Sequence, residues 1–185
     1  MALTPSNMMP LGTKAPDFTL PDVTNFKRLS LQDVQGEHAT LIMFICNHCP
    51  FVKHINDELS QLGRDYSSKG VGIIAISSND AENYPDDAPD QLAHQARKFN
   101  FTFPYLYDES QEVAQAYDAA CTPGFFLFDK ELTLVYRGQL DDSRPGNSLP
   151  VTGKDIRAAL EALLQGGRIL ADQKPSIGCN IKWKN

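Results

Sequence analysis

The sequence predicts a three-layer α/β/α domain with a central mixed sheet and a short N-terminal β-hairpin. Two observations predict it. Apolar runs of strand length alternate with segments of helical spacing through the first half, and an antiparallel hairpin followed by one helix closes the second half. Alternation of strand and helix implies parallel strands joined by right-handed crossovers. The hairpin then adds antiparallel strands to the same sheet. At 185 residues a single domain spanning 1–185 is expected, long enough to bury about 70% of the surface of its unfolded chain.

The elements follow in order. Gly12 to Leu20 reads as a turn entering a short strand, and Phe26 to Leu31 as its hairpin return. Ala39 to Ile45 is continuously apolar, as in a strand covered on both faces. Phe51, Ile55, Leu59, Leu62 and Tyr66 recur every three or four residues and form one buried helical stripe. Gly70 ends that helix as a left-handed cap. Val71 to Ser77 is a second buried strand, and Asn79 to Asp90 a polar, solvated acidic loop. A helix is expected from Pro89 to Phe99 and a short strand from Phe103 to Tyr107. Asp108 and Gln111 form the pattern of a capping box for a helix through Tyr117. Phe125 to Phe128 and Thr133 to Arg137 flank a turn at Asp129-Lys130-Glu131. Thr152 and Asp155 are the expected caps of a last helix facing inward through Ile156, Ala159, Leu160 and Leu163, stopped at Gly166-Gly167. The tail, 171–185, lacks periodicity and reads as irregular, pinned by Trp183.

Composition excludes several classes. The 17 basic and 23 acidic residues give a net charge of −6 without any basic run, which argues against nucleic acid. No stretch approaches the roughly 20 apolar residues that span a bilayer. Residues 1–16 lack a basic segment followed by an apolar one, so a cytoplasmic protein is expected. Four cysteines are too sparse for a disulfide scaffold.

Those cysteines carry the chemistry. Cys46-Asn47-His48-Cys49-Pro50 stands between a strand and a helix. This order sets a thiol at a helix N-terminus, where unpaired N–H groups and the helix dipole favour the thiolate, the reactive form. A second thiol lies within reach to close a disulfide. His48 is expected to tune the Cys46 thiolate by charge or hydrogen bonding, and Pro50 to occupy the first helical position. The competing reading of Cys46 and Cys49 is a pair of buried apolar thiols or half of a zinc site. The second Cys/His pair that a structural zinc site uses is absent from the sequence.

With these residues in place, the chain resembles the thioredoxin superfamily, and within it the redoxin branch of AhpC/TSA-like and TlpA-like proteins. Gly12-x-x-Ala15-Pro16-x-Phe18-x-Leu20 is similar to the redoxin opening, Phe44-x-Cys46-x-x-Cys49-Pro50 to the active-site segment, and Thr122-Pro123 to the loop with the family's cis-proline. The resemblance implies a thioredoxin-like fold and a thiol–disulfide oxidoreductase without a bound cofactor or metal. Cys46 attacks, Cys49 resolves, and the backbone at Thr122 and Pro123 pairs with the substrate chain. Partners are then a protein or small-molecule disulfide and an external thiol reductant. Cys121, two residues before the proline, is a candidate auxiliary thiol or a small buried hydrophobe. Cys179 is a candidate tether of the tail or a packed thiol.

Departures from the family pattern bear on the alternatives. Ile45 replaces the aromatic residue usual before the first cysteine, and Thr40 replaces a buried acid. Peroxiredoxins carry Pro and Thr or Ser seven and three residues before the peroxidatic cysteine. Here those positions are Ala39 and Met43 for Cys46, and Ile42 and Cys46 for Cys49. A thiol peroxidase is therefore a second reading, and a copper- or zinc-binding module a third.

Overall fold

The computed structural model describes residues 3–185. Its centre is a five-stranded sheet of β4 (Ala39–Phe44), β5 (Val71–Ser77), β6 (Tyr105–Tyr107), β8 (Gly124–Asp129) and β9 (Leu134–Gly138), in the order β6-β5-β4-β8-β9. β4, β5 and β6 run parallel, whereas β8 and β9 are antiparallel to their neighbours. β4 is fully buried because both its faces are covered. Its alternation sends Ala39, Leu41 and Met43 to one core and Ile42 and Phe44 to the other.

The first core is closed by α2 (Pro50–Lys53), α3 (Asn56–Tyr66), α4 (Pro89–Lys98) and α6 (Lys154–Leu164) through Val52, Leu59, Leu62, Leu92, Ala96, Ile156 and Leu160. The second is closed by α1 (Leu31–Val34) and α5 (Glu112–Ala116), with Tyr117 packed on Phe44 and Phe126. The layers are helix, sheet, helix, and the fold is thioredoxin-like, as the sequence implies. The N-terminal hairpin is β2 (Thr19–Pro21) with β3 (Arg28–Ser30).

Four local expectations are corrected. The helix expected from Phe51 onward is two helices, because the Ile55 N–H bonds to Val52 O in a tight 3₁₀ turn and Ile55 leaves helical φ/ψ. Its apolar stripe nevertheless faces the core throughout, and Gly70 takes the left-handed cap at φ 73°. The Asp108–Gln111 capping box does not form. The Asp108 carboxylate accepts from Val113 and Ala114 N–H, but Gln111 turns away to donate to Ser78 O and Lys182 O. Neither Thr152 nor Asp155 caps α6, since Gly153 is the N-cap and buried Asp141 accepts both the Thr152 and Gly153 N–H groups.

The fourth correction is the tail. It contains β10 (Ile177–Asn180), the middle strand of a second sheet between β1 (Leu3–Pro5) and β7 (Cys121–Thr122). Periodicity could not reveal it, because a four-residue strand containing glycine carries too little pattern. Trp183 is substantially exposed, at 41%, and does not pin the tail. Buried Ile181, and the Lys182 N–H donated to Asn79 Oδ1, do so instead.

Gly178 marks how closely β10 approaches its neighbour. A Cβ there would lie 1.9 Å from Thr122 O, a distance no side chain tolerates. Gly178→Ala should therefore lift β10 from β7, costing on the order of 1–3 kcal/mol by overpacking. Hydrogen exchange of the β10 amides measures it, and unchanged protection would mean that β10 does not depend on this contact.

Candidate redox site

The site forms where β4 ends. The β4–β8 register places Phe44 opposite Gly124, and carrying it two residues further brings Cys46 opposite Thr122. The Thr122–Pro123 peptide bond is cis. Cys46 Sγ lies 3.4 Å from Thr122 Oγ1, and Cys49 Sγ lies 3.3 Å from Thr122 O. Pro50 opens α2 and makes Cys49, not Cys46, the N-cap. Both thiols are completely buried.

Charge settles unequally on the pair. Cys49 is held well below the usual thiol range, first by its hydrogen bond with Cys46 and against the opposing effect of burial. The Cys179 thiol and the N–H groups of Val52 and Cys179 add to this stabilisation. Cys46 is pushed up, first by burial and then by its hydrogen bond to Cys49 and the charge of Asp87, with the Thr122 hydroxyl pulling the other way. The surroundings thus favour negative charge on Cys49 over Cys46.

The His48 ring makes its hydrogen bond to Asp87 rather than to Cys46. Its Nδ1 bonds to Asp87 Oδ2, and the ring stacks on Tyr84 at 5.7 Å. Asp87 lies in the loop that reads as solvated, yet it is completely buried. It accepts the N–H groups of Asn47 at 2.8 Å and His48 at 3.0 Å, and the Asn79 amide at 2.9 Å. Burial alone would raise its pKa, but the bonds from His48 and Asn79 outweigh it and hold Asp87 below the usual carboxylate range. Asp87 fixes the turn of the CxxC and sets a negative charge near Cys46.

Ligand atoms of Cys46, His48 and Asp87 lie within 4.8 Å of one another. As a metal centre this set is poor, since His48 Nδ1 and Asp87 Oδ2 are engaged with each other and the carboxylate already serves three further donors. Beneath Cys46, Gln95 donates to Cys46 O and Asn56 Oδ1 and accepts from the Tyr105 hydroxyl, a closed buried chain.

The fold brings together Cys46, Cys49, Thr122 and Pro123, with His48 one bond removed. It does not recruit Cys121. That thiol donates to Pro123 O at 3.7 Å, and burial pushes it up to about 12, so it behaves as a small buried hydrophobe. Sequence reasoning missed Asp87, Gln95 and the placement of Cys179. An aspartate within an acid-rich loop carries no sign of which member turns inward. The Thr122 edge expected to receive a substrate chain is also occupied here, since Thr122 pairs with Cys179 of β10.

Asp87→Asn removes the charge that raises Cys46 while keeping an acceptor for the turn. Cys46 should then titrate at lower pH, read by the pH dependence of thiolate absorbance and alkylation. The same substitution reports on stability. The folded Asp87 pKa lies below its ordinary value of 3.8, so its contribution is present above that value and fades as pH falls towards the folded pKa. The wild type should lose stability relative to Asp87→Asn over that acidic window, and parallel stability curves would contradict this.

Comparison with known proteins agrees with the geometry. The profile of the AhpC/TSA family matches residues 11–137. The chain is 23% identical over 157 residues to the thiol-disulfide oxidoreductase ResA of Bacillus cereus, covering 85% of this chain and 78% of that protein. It is 30% identical over 118 residues to a Mycobacterium tuberculosis protein named as a peroxiredoxin, covering 63% and 69% of the two chains. A crystal structure of an uncharacterized conserved protein from Geobacillus kaustophilus is similar throughout, with 59% identity, a TM-score of 0.98, and coverage of 100% of this chain and 97% of that one. The family profile spans more than half of the sequence and includes the CxxC and the cis-proline, and the chain belongs to the AhpC/TSA family.

Proposed function

We propose that this protein is a thiol–disulfide oxidoreductase in which Cys46 attacks and Cys49 resolves. The observation that carries the reading is the buried Cys46–Cys49 pair held against Thr122, with Cys46 Sγ 3.4 Å from its hydroxyl and Cys49 Sγ 3.3 Å from its carbonyl, beside the cis Thr122–Pro123 bond. Loss of the Cys46 proton to Cys49 generates the nucleophile, and Thr122 O accepts a hydrogen bond from the Cys49 thiol. The Cys46 thiolate attacks one sulfur of a substrate disulfide, and the other sulfur leaves as a thiolate. Cys49 then gives up its proton and attacks Cys46 Sγ, the second substrate thiol departs, and Cys46–Cys49 is left oxidised. Two electrons have passed to the substrate. An external thiol reductant restores the dithiol, which suits a cytoplasmic setting with its thiol pool. No bound cofactor takes part.

The peroxidase reading has its support in a relative's name, while the framework residues that polarise a peroxide are replaced by Ala39 and Met43. The metal reading conflicts with the Asp87 carboxylate, whose oxygens are taken up by Asn47, His48 and Asn79.

Titration in glutathione buffers, quenched by alkylation and read by peptide mass spectrometry, should give a reversible two-electron couple at Cys46–Cys49, lost in Cys46→Ser and in Cys49→Ser. Overoxidation of Cys46 without pairing, accompanied by peroxide turnover, would transfer the assignment to the peroxidase. His48→Pro should raise the Cys46 pKa and make the couple more reducing, because Asp87 loses a partner that offsets its charge. An unchanged potential would remove His48 from the mechanism.

A further inference from the structure

A third sulfur stands at the site. Cys179 Sγ lies 2.8 Å from Cys49 Sγ, and its thiol and backbone N–H both stabilise charge on Cys49. Its position is rigid. Cys179 sits in the middle strand of the β1-β10-β7 sheet, paired with Leu3 on one side and Thr122 on the other. Ser176 Oγ ties the entry of that strand to Pro123 O at 2.6 Å, and Gly178 admits β10 directly against Thr122 O. Cys49 is therefore flanked by two sulfurs, Cys46 and Cys179. A disulfide bond needs about 2.0 Å between sulfurs, so a small side-chain movement closes Cys49–Cys179.

Resting on the oxidoreductase reading above, we infer that Cys179 is a third redox thiol, which takes the disulfide over from Cys46–Cys49 by exchange at Cys49. Cys179 loses its proton and attacks Cys49 Sγ, the Cys46–Cys49 bond breaks, and Cys46 leaves and takes up the proton. The products are a Cys49–Cys179 disulfide and a Cys46 thiol. No net electrons enter or leave, so the step needs no co-reactant. Cys46 regains its reactive form before the external reductant acts, and reduction of Cys49–Cys179 by a thiol reductant completes the cycle. The charge on Cys49, which in the reduced protein opposes ionisation of Cys179, disappears once Cys49 is in a disulfide. Burial of Cys179 remains and opposes its ionisation.

The test uses full-length Cys46→Ser, in which Cys49 and Cys179 are the only thiols in mutual contact at the site. The protein is titrated with oxidised glutathione, alkylated and mapped without reduction. The expected product is a crosslink joining the peptide that contains Cys49 to the one that contains Cys179, lost on addition of Cys49→Ser. Glutathione retained on Cys49 without that crosslink overturns the inference, and a normal Cys46–Cys49 couple in wild type would show that the oxidoreductase reading survives. Absence of any disulfide among the three sulfurs in wild type overturns both. In Cys179→Ser, Cys46–Cys49 should accumulate as the sole disulfide, whereas wild type shows both; identical disulfide maps for the two proteins would also sink the relay.

Discussion

One hydrogen-bonding register governs this molecule. β8 pairs with β4 so that Thr122 arrives opposite Cys46, and β10 pairs with β7 so that Thr122 arrives opposite Cys179. Thr122 is the hinge of both alignments, touching Cys46 through its hydroxyl and Cys49 through its carbonyl. A one-residue slip in either ladder would turn the alternating side chains to the wrong faces and separate the sulfurs. Burial on both faces of β4 fixes the first register, since Leu41 and Met43 must enter one core while Ile42 and Phe44 enter the other. Packing far from the site thus sets sulfur positions within it.

Electrostatics completes what register begins. Burying a thiolate is costly, and the site offsets that cost on Cys49 with S–H and N–H donors from Cys46, Cys179 and Val52. Asp87 works against ionisation of Cys46, so charge is favoured on Cys49. Thioredoxin-like proteins place a buried acid on the strand before the cysteines, but Thr40 holds that position here and spends its hydroxyl on the Gly36 N–H. The buried acid of this site instead comes from the loop after β5 and is braced by Asn79 and His48.

The sequence made some features legible and hid others for identifiable reasons. β4 and β5 could be read almost to the residue, because continuous apolar runs between turn signals leave little choice. The CxxC and Thr122-Pro123 were visible because they are local patterns. The helix break at Ile55 was invisible because it involves no glycine or proline, and the apolar stripe runs through it. Asp87 and Cys179 escaped because their roles are set by contacts with Asn47 and Cys49, 40 and 130 residues away in sequence. An acid-rich loop gives no hint of which carboxylate turns inward, and a short strand holding Gly178 and Cys179 shows no alternation to read.

The position of β10 resolves a conflict inherent in this fold. An active-site loop that recognises extended chains must offer backbone edge groups, and an exposed strand edge invites unwanted pairing. β10 covers that edge with the chain's own backbone, and in doing so excludes water from all four cysteines. Dry sulfurs strengthen the hydrogen bonds among them, and burial puts them out of reach of small oxidants. The same strand carries the Cys179 thiol and N–H that stabilise charge on Cys49. Edge protection and stabilisation of charge on Cys49 are in this way two consequences of the same strand.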